Sequence, residues 1–375
     1  MKQPDYTNDK QFLEALAKPD HKKFCVLPFT HMATTTQGNC RLCCKVSRHD
    51  LVTDENGVPY NVATHSVDEI WNSKYMRDIR LRLLNDEQIP ECKTCWKEED
   101  IFADEWSERP DELPSKRRKE NQKWLVREKT KLSDTWDDII LKPRIRYFDV
   151  RLSNLCNLKC RMCWPQFSTQ IAKEQKDFAA QDLPTHYKDY DPAQWDANQL
   201  WQGIMDNTLE LEEITFVGGE PTLHSEMYDL LEKLVENNLS GNIRLKITTN
   251  ITNIHQKFLD LMPHFKFTEF NTSIDGVGAV NDYIRHPSKW STIEANLDKL
   301  LALYTARPDN VSVNVTPVIQ FYNIFDVGNI VRWYTEKWIS IGGGHGFNIV
   351  LDILYDPNHL SANLLSRDGK DQWYK

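Results

Sequence analysis

The sequence predicts an α/β fold preceded by a small cysteine-rich α+β domain, and two observations support this prediction. The first is the alternation of strand-like and helix-like segments from residue 143 to the end of the 375-residue chain. Such alternation indicates βα units with a parallel sheet. The second is that six of the nine cysteines lie before residue 96, among two short strand-like segments and one helix-like segment.

The elements of the second part can be assigned in order. Its six strand-like segments are residues 144–152, 214–217, 243–248, 267–274, 311–319 and 347–354. Helix-like segments lie between them, for instance at residues 225–237, 292–306 and 324–338. The connection 166–207 is long for one βα unit, so it either covers the active site or extends the first helix.

Composition narrows the class of protein. The chain has 40% hydrophobic and 27% charged residues, and its length suggests about two domains. No apolar run approaches the ~18 residues of a membrane span, so neither a signal peptide nor membrane insertion is expected. Clustered cysteines without an export signal predict reduced ligands in the cytoplasm. The net charge of −9 argues against broad nucleic-acid binding.

The most informative stretch contains Cys156, Cys160 and Cys163 at the spacing C-x3-C-x2-C. Three cysteines so close cannot all pair as disulfides, and such clusters indicate metal or iron–sulfur ligands. A four-iron cubane on three thiolates keeps one iron without a protein ligand, as catalytic metal sites do. The stretch follows the strand-like segment 144–152, and α/β barrels place their chemistry at the carboxyl ends of strands.

A second element stands 55 residues after Cys163: Gly218, Gly219, Glu220 and Pro221, directly after the apolar segment 214–217. The cysteine triplet and this G-G-E-P segment together resemble the radical S-adenosylmethionine (radical SAM) superfamily. That family has an aromatic residue before the third cysteine, where this chain has Met162. The resemblance implies a partial (β/α)6 TIM-type barrel with an open side that admits a large substrate.

The resemblance also implies the cofactors and their ligands. A 4Fe–4S cluster on Cys156, Cys160 and Cys163 would bind SAM through its free iron. The 218–221 segment would hold the methionine amino group, with backbone carbonyls and Glu220 as acceptors. Four further side chains at strand ends belong to the implied SAM site: Asn250, Ser273, Asp275 and Arg285.

Within that set, the resemblance implies that Ser273 and Arg285 bind the methionine carboxylate. Asn250 and Asp275 would contact the carboxylate or the ribose. The residues alone equally allow turn or capping roles for each of the four. No residue is assigned a catalytic role beyond cofactor binding.

The first domain is predicted to span residues 1–105. Residues 24–29 and 38–44 are expected to form two short strands joined by a turn at Gln37–Gly38. Ser66 and Glu69 form a capping box for a helix that ends near residue 86. Its cysteines form two distant half-sites, the layout of a four-thiolate site that either zinc or a 4Fe–4S cluster satisfies. From these residues alone, structural zinc is the simpler expectation.

The order Cys25, Gly38-x4-Cys43, Ile70-Trp71-Asn72-Ser73 and Cys92-x2-Cys95 resembles the twitch or SPASM-type domains of radical SAM enzymes. Those domains bind auxiliary iron–sulfur clusters and usually follow the core, whereas this one precedes it. The resemblance implies a second 4Fe–4S cluster on Cys25, Cys43, Cys92 and Cys95. Cys40 and Cys44 are then spare, and Cys44 is the nearer substitute.

Residues 106–142 are predicted to be a charged helical connector between this domain and the radical SAM core at 143–375. The basic run 116–119 could bind nucleic acid or an acidic peptide. Neighbouring glutamates favour the plainer interpretation of a solvated helix face.

The resemblance implies an enzyme that reductively cleaves SAM and abstracts hydrogen from a substrate, with a peptide or protein as first expectation. The alternative is oxidation or rearrangement of a small polar metabolite such as a sugar, aminocyclitol or nucleotide. A one-electron donor such as flavodoxin or ferredoxin would be a partner. A hypothesis of another class is a non-catalytic metal-binding adaptor with a structural zinc site. The sequence identifies neither the substrate nor the oligomeric state.

Overall fold

The computed structural model describes residues 4–17, 23–47, 49–103, 121, 136–181, 195–343 and 348–365. The chain divides into two compact units. Unit 1 comprises residues 1–151 and 195–214, and unit 2 comprises residues 152–194 and 215–375. Most of the predicted connector, including its basic run 116–119, lies outside the described residues, so the domain boundaries near 105 and 142 stay predictions.

Unit 1 combines short helices with three strands. Its helices are Lys10–Leu16, Leu27–Thr30, Val67–Trp71, Lys74–Leu84, Lys93–Ala103, Trp136–Leu141 and Asn198–Asp206. Its strands are β1 (His31–Thr34), β2 (Cys40–Arg41) and β3 (Tyr147–Arg151). Strand β1 pairs antiparallel with β2 and parallel with β3.

The predicted hairpin exists, but its first strand was placed wrongly. Residues 27–30 form a helical turn with Pro28 in the first turn, and the strand begins only at His31. Proline lacks a backbone N–H and has a φ suited to the start of a helix, which explains the displacement.

The predicted capping box is confirmed. The Ser66 hydroxyl accepts from the backbone N–H of Glu69, and the Glu69 carboxylate accepts from the N–H of Ser66. The helix nevertheless ends at Trp71, and a second one begins after Ser73, whose hydroxyl accepts from the N–H of Met76. The single predicted helix is therefore two, because Ser73 caps a new start instead of continuing the first helix.

The core of unit 1 is built around a buried cation, Arg80. Its Nε donates to the carbonyl of Pro28 at 2.8 Å, and its Nη1 donates to the hydroxyl of Tyr6 at 2.9 Å. The guanidinium lies 4.2 Å from the ring centroid of Trp71. These contacts hold the helix Lys74–Leu84 against the turn that follows Cys25.

Unit 2 contains parallel strands alternating with helices. Strands β5 (Arg244–Thr249), β6 (Phe267–Thr272), β7 (Val311–Val315) and β9 (Asn348–Ile349) are successive parallel neighbours. Strands β8 (Val318–Ile319) and β10 (Asp352–Ile353) form a separate parallel pair. Strand β4 (Glu213–Val217) begins at the end of unit 1 and continues into unit 2.

The helices of unit 2 are Thr169–Ala180, Ser225–Glu236, Gln256–Leu261, Ala279–Ile284, Trp290–Ala306 and Val327–Ser340. Short 3-10 helices occur at Pro165–Phe167, Pro221–Leu223, Ser240–Asn242, Met262–His264, Asn358–Leu360 and Ala362–Leu364. No helix in the described part of the chain is long and apolar enough to cross a membrane.

All six predicted strands are present, and the last two are each split in two. Residues 311–319 form β7 and β8, which are separated by Thr316 and Pro317, because proline cannot donate a ladder hydrogen bond. The parallel strands and intervening helices confirm the α/β class and are the units from which the predicted partial (β/α)6 barrel is built.

Side chains alternate along β5 and β6 between buried and half-buried positions. Leu245, Ile247 and Phe270 are fully buried apolar residues of this core. Thr249 and Thr272 are the last buried residues of the two strands, so the strands change from apolar to hydroxyl side chains at their carboxyl ends.

Candidate functional site

The three clustered cysteines lie at the beginning of unit 2, in the loop that follows β3. Cys156 is buried, and Cys160 and Cys163 are half-buried. The backbone N–H of Cys163 donates to the carbonyl of Cys160 at 3.0 Å, which closes a tight turn between them.

The start of the next helix holds this loop. The Ser168 hydroxyl accepts from the N–H of Ile171 as the helix cap and donates to the carbonyl of Leu158 at 2.6 Å. The Thr169 hydroxyl donates to the carbonyl of Cys156 at 3.1 Å. These hydrogen bonds from Ser168 and Thr169 hold the loop through its backbone carbonyls and leave its thiols free of them.

The thiols themselves need a cationic partner to become ligands. Burial, with a smaller contribution from the neighbouring Cys160 thiol, raises the pKa of Cys156 to about 12. Burial also raises the pKa values of Cys160 and Cys163. Bound iron supplies the positive charge that deprotonates such thiols.

Three thiolates are the donor set that a 4Fe–4S cubane with one open iron requires. Within the described part of the chain, no three His, Cys, Asp or Glu side chains converge in a way that could hold one metal ion. A cubane binds each thiolate at a different iron, so its ligands do not need to meet at one point. The donor set at Cys156, Cys160 and Cys163 is therefore compatible with a cubane.

The 218–221 segment packs directly against the residues that precede Cys156. The N–H of Gly219 donates to the carbonyl of Ser153 at 3.1 Å, and the N–H of Glu220 donates to the carbonyl of Leu155 at 2.7 Å. A Cβ at Gly219 would lie only 2.3 Å from that Leu155 oxygen. Gly218 has a φ of 118°, which favours glycine. Both glycines are thus required for the close approach of the two loops.

Glu220 is fully buried, and its carboxylate accepts four hydrogen bonds. Its Oε1 accepts from the N–H of Thr222 at 3.1 Å and from the hydroxyls of Thr222 and Thr249 at 2.7 Å each. Its Oε2 accepts from the N–H of Asn250 at 2.6 Å. Burial raises the pKa of Glu220, and these hydrogen bonds oppose that rise. The carboxylate thus ties the loop after β4 to the end of β5, and the backbone carbonyls of 218–221 become the better candidates to accept an amino group.

Asp275 and Arg285 form a buried ion pair, with 2.8 Å between Oδ2 of Asp275 and Nε of Arg285. Oδ1 of Asp275 accepts from the N–H of Val318 at 2.8 Å. Nη1 of Arg285 lies 3.9 Å from Sγ of Cys160. Because both oxygens of Asp275 have partners and its side chain is fully buried, we expect it to position Arg285 instead of contacting the ribose.

Ser273 and Asn250 occupy different surroundings. Ser273 is half-buried, and its hydroxyl has no hydrogen-bond partner among the described residues, so it remains accessible to a ligand. Asn250 is buried, and its Nδ2 lies 3.8 Å from Sγ of Cys156.

In unit 1, the structure brings four cysteines around one cavity: Cys25, Cys43, Cys92 and Cys95. Leu27, Lys45, Val46, Glu91 and Thr94 complete the lining. Burial raises the pKa of Cys43 to about 12, so an ionised Cys43 again needs a cation. Cys40 and Cys44 do not line this cavity. The ligand set that the sequence resemblance implies is the set that surrounds the cavity.

Sequence reasoning missed the two threonines that satisfy Glu220, Thr222 and Thr249. A signal was present, because a buried carboxylate must find donors and hydroxyl residues stand next to both Pro221 and Asn250. The hydrogen bond between Glu220 and Thr249 joins residues 29 apart in sequence, and such a pairing could not be predicted from residue spacing.

Two clusters of cysteines, together with the glycine-rich loop after β4 and the buried Asp275–Arg285 pair, form the kind of donor set found in iron–sulfur proteins. Comparison with known families agrees: residues 150–334 match the model of the radical SAM superfamily. Residues 25–96 match the SPASM model, which is described as an iron–sulfur cluster-binding domain. The chain therefore belongs to the radical SAM superfamily, and its SPASM domain precedes the radical SAM region. This membership implies a 4Fe–4S cluster and SAM for the core and an auxiliary iron–sulfur cluster for the first domain.

Two curated relatives are similar in sequence. The GTP 3′,8-cyclase of Synechococcus elongatus is 25% identical over 199 residues, which cover 53% of this chain and 54% of the relative. Molybdenum cofactor biosynthesis protein 1 of Dictyostelium discoideum is 23% identical over 197 residues, which cover 52% of this chain and 28% of the relative. The chain thus spans about half of the first relative and less than a third of the second.

The chain also has a partial likeness to solved structures. Native anSMEcpe with bound AdoMet matches with 18% identity and a TM-score of 0.40, and the match covers 55% of this chain and 52% of that one. Streptococcus suis SuiB bound to S-adenosylmethionine has 13% identity and a TM-score of 0.41, covering 84% of this chain and 64% of that one.

The first prediction concerns Gly219. A Gly219→Ala variant should lose most of its core iron after anaerobic reconstitution and should bind SAM more weakly, because its Cβ would displace the backbone at Leu155, next to Cys156. The matched control is Gly241→Ala, since a Cβ at Gly241 meets nothing within 4 Å. Iron content and SAM titration measure both effects, and a Gly219→Ala protein with parental values would show that the two loops are not coupled.

Proposed function

We propose that this protein reductively cleaves SAM and uses the resulting 5′-deoxyadenosyl radical to abstract hydrogen from a substrate. The observation that carries the proposal is the junction of the two loops. Gly219 and Glu220 hydrogen-bond to Ser153 and Leu155, so the proposed amino-group site lies beside the cysteine loop. When bound, a 4Fe–4S cluster supplies the electron and a free iron for the methionine end of SAM.

Different residues would bind the cluster and the methionine end of SAM. Cys156, Cys160 and Cys163 would hold the cluster, and backbone carbonyls of 218–221 would accept from the methionine amino group. Arg285 and Ser273 would bind the methionine carboxylate, with Arg285 oriented by Asp275. Half-buried and buried side chains around these loops would limit access of water.

A one-electron donor of the flavodoxin or ferredoxin type would supply the electron for SAM cleavage. Cleavage of the sulfur–C5′ bond and transfer of one hydrogen atom from the substrate would give methionine, 5′-deoxyadenosine and a substrate radical, which balances the one electron supplied.

The second prediction tests this step. Anaerobically reconstituted protein incubated with SAM and dithionite should release 5′-deoxyadenosine, measured by liquid chromatography and mass spectrometry. Replacing Cys156, Cys160 and Cys163 together with alanine should abolish the product, whereas Cys40→Ala should retain it. Product formation by the triple variant would reject Cys156, Cys160 and Cys163 as the ligands of the proposed cluster. Zinc without sulfide and no product in the parent would reject the enzyme and favour the metal-binding adaptor.

We also propose that Cys25, Cys43, Cys92 and Cys95 hold the auxiliary cluster as a 4Fe–4S centre. A full set of four thiolates would make this cluster an electron carrier without an open iron. Support comes from the shared cavity that these four thiols line.

The third prediction follows from that ligand set. In the variant that lacks the three core cysteines, about four irons and four sulfides per chain should remain. Adding Cys43→Ala should remove them, and adding Cys40→Ala instead should leave them, because Cys40 does not line the cavity. One zinc without sulfide, or an equal loss with both variants, would contradict the proposed set.

For the substrate we propose a peptide or protein, on the evidence of an aromatic patch in unit 2. The patch consists of Tyr283, Phe321, Tyr322 and Phe325, which are 50%, 45%, 39% and 59% exposed. Tyr283 and Tyr322 meet edge to face with centroids 5.2 Å apart. Exposed apolar clusters of this kind mark interaction surfaces.

The patch continues into the cysteine loop through Arg161. Its guanidinium lies 4.7 Å from the Tyr283 ring centroid, and its Nε donates to the carbonyl of Tyr283 at 3.2 Å. Arg161 is exposed and forms no ion pair with the described residues. A partner with an aromatic or aliphatic side chain beside an acidic one would complement both features. The sequence similarity to a GTP 3′,8-cyclase favours a nucleotide as the second candidate.

The fourth prediction separates these two substrates. Phage-displayed random peptides selected on the reconstituted protein should converge on an apolar residue next to Asp or Glu. A Tyr322→Ser/Phe325→Ser variant should bind the selected peptides at least about tenfold more weakly. The control Ile339→Ser changes an exposed apolar side chain outside the patch, 69% exposed, and should bind as the parent does. Selective binding of GTP, with no peptide consensus, would favour the nucleotide.

A further inference from the structure

Asn250 places a hydrogen-bond donor on one of the three core cysteines. Its Nδ2 lies 3.8 Å from Sγ of Cys156 and 3.1 Å from Oδ1 of Asn157. The two amide hydrogens of Asn250 therefore have one acceptor each. Asn250 is 6% exposed, so water does not compete freely for these hydrogens.

The orientation of this amide is determined by its neighbours. Its Oδ1 accepts from the backbone N–H of Thr252 at 2.9 Å and from the Thr252 hydroxyl at 2.6 Å. A backbone N–H can only donate, so the oxygen must face Thr252. The NH₂ group then faces the sulfur of Cys156, and the reverse assignment of the amide would set donor against donor.

Hydrogen bonds also fix the backbone at Asn250 and at the residue that follows it. Its N–H donates to the buried carboxylate of Glu220 at 2.6 Å. The next residue, Ile251, has a φ of 49°, in the left-handed region that β-branched residues avoid. The Thr249 hydroxyl accepts from the N–H of Ile251 at 3.0 Å, and Nδ2 of Asn296 donates to the Ile251 carbonyl at 2.8 Å. A strained conformation of this kind persists only where its surroundings enforce it.

We propose that Asn250 is a tuning residue that raises the reduction potential of the core cluster through its N–H···S hydrogen bond to Cys156. Reduction places additional negative charge on the cluster and its sulfur ligands. A donor at the sulfur stabilises that reduced form more than the oxidised form, which raises the potential. The inference rests on the core cluster of the proposed function, and it gives Asn250 a role toward the cluster in place of the expected contact with SAM.

The hydrogen bond from Asn250 would therefore favour electron transfer from the donor to the core cluster. A higher potential makes the cluster easier for a one-electron donor to reduce. The same residue is hydrogen-bonded to Glu220 of the 218–221 loop, so the backbone of the proposed amino-group site and the donor on Cys156 share one support.

Two substitutions at Asn250 should lower the reduction potential of the core cluster by different amounts. Asn250→Ser keeps the backbone N–H to Glu220 but is too short to reach the sulfur. Asn250→Asp has the same shape and keeps an acceptor for Thr252, but turns an anionic oxygen toward Cys156. The matched control is Asn253→Ser, because Asn253 donates to the carbonyl of Thr222 at 3.0 Å and belongs to the same turn without touching a thiol.

The measurement is a redox titration of the reconstituted full chain without SAM, followed by electron paramagnetic resonance. The core signal is the one absent from the variant without Cys156, Cys160 and Cys163. At a fixed applied potential, the reduced-to-oxidised ratio should fall about threefold in Asn250→Ser and about tenfold in Asn250→Asp, the latter equal to ~59 mV for one electron. Asn253→Ser should match the parent.

The redox titration and the 5′-deoxyadenosine assay together separate the role of Asn250 from the proposed function. Potentials of both Asn250 variants equal to that of Asn253→Ser would overturn the inference. Loss of the core cluster in both would also overturn it, because a tuning hydrogen bond is not needed for assembly. A parent with the core signal but without 5′-deoxyadenosine would reject the proposed function alone, and a parent without any core signal would reject both.

Discussion

The buried carboxylate of Glu220 is the constraint on which the rest of the core site depends. An ionised carboxylate without solvent must be satisfied by the protein, and its four donors come from the loop after β4 and from the end of β5. This requirement joins two strand ends that are separate in sequence. Each oxygen of the Glu220 side chain already has a protein donor, so we propose the backbone carbonyls of the 218–221 segment for the amino-group role.

Close packing extends this constraint to the cysteine loop. Gly219 approaches Leu155 so closely that no side chain fits between them, and Asn250 reaches Cys156 from the carboxyl end of β5. Arg285, held by Asp275, approaches Cys160 in the same way. Burial raises the pKa values of the thiols, so these loops form a site that favours bound cationic metal over free thiolates.

Much of the fold could be predicted because it depends on local properties. All six strands of the second part and the Ser66–Glu69 capping box follow from hydrophobic patterning and from hydrogen bonds between residues close in sequence. The two differences between the predicted and the observed elements of the first part also have local causes. Pro28 starts a helical turn where a strand was expected, and Ser73 begins a new helix where one long helix was expected.

By itself the sequence determined the family, through the spacing of Cys156, Cys160 and Cys163 and the G-G-E-P segment, because ligands within one loop are positioned by short covalent distances. It also implied the four auxiliary cysteines through resemblance. Only the tertiary structure decided which partners the side chains of the proposed SAM site have. Each carboxylate oxygen of Asp275 and Glu220 has a protein partner, and Asn250 faces a sulfur 94 residues away in sequence. Such pairings depend on which strand ends become neighbours and on the need to satisfy every buried polar group there. Residue spacing encodes neither of these.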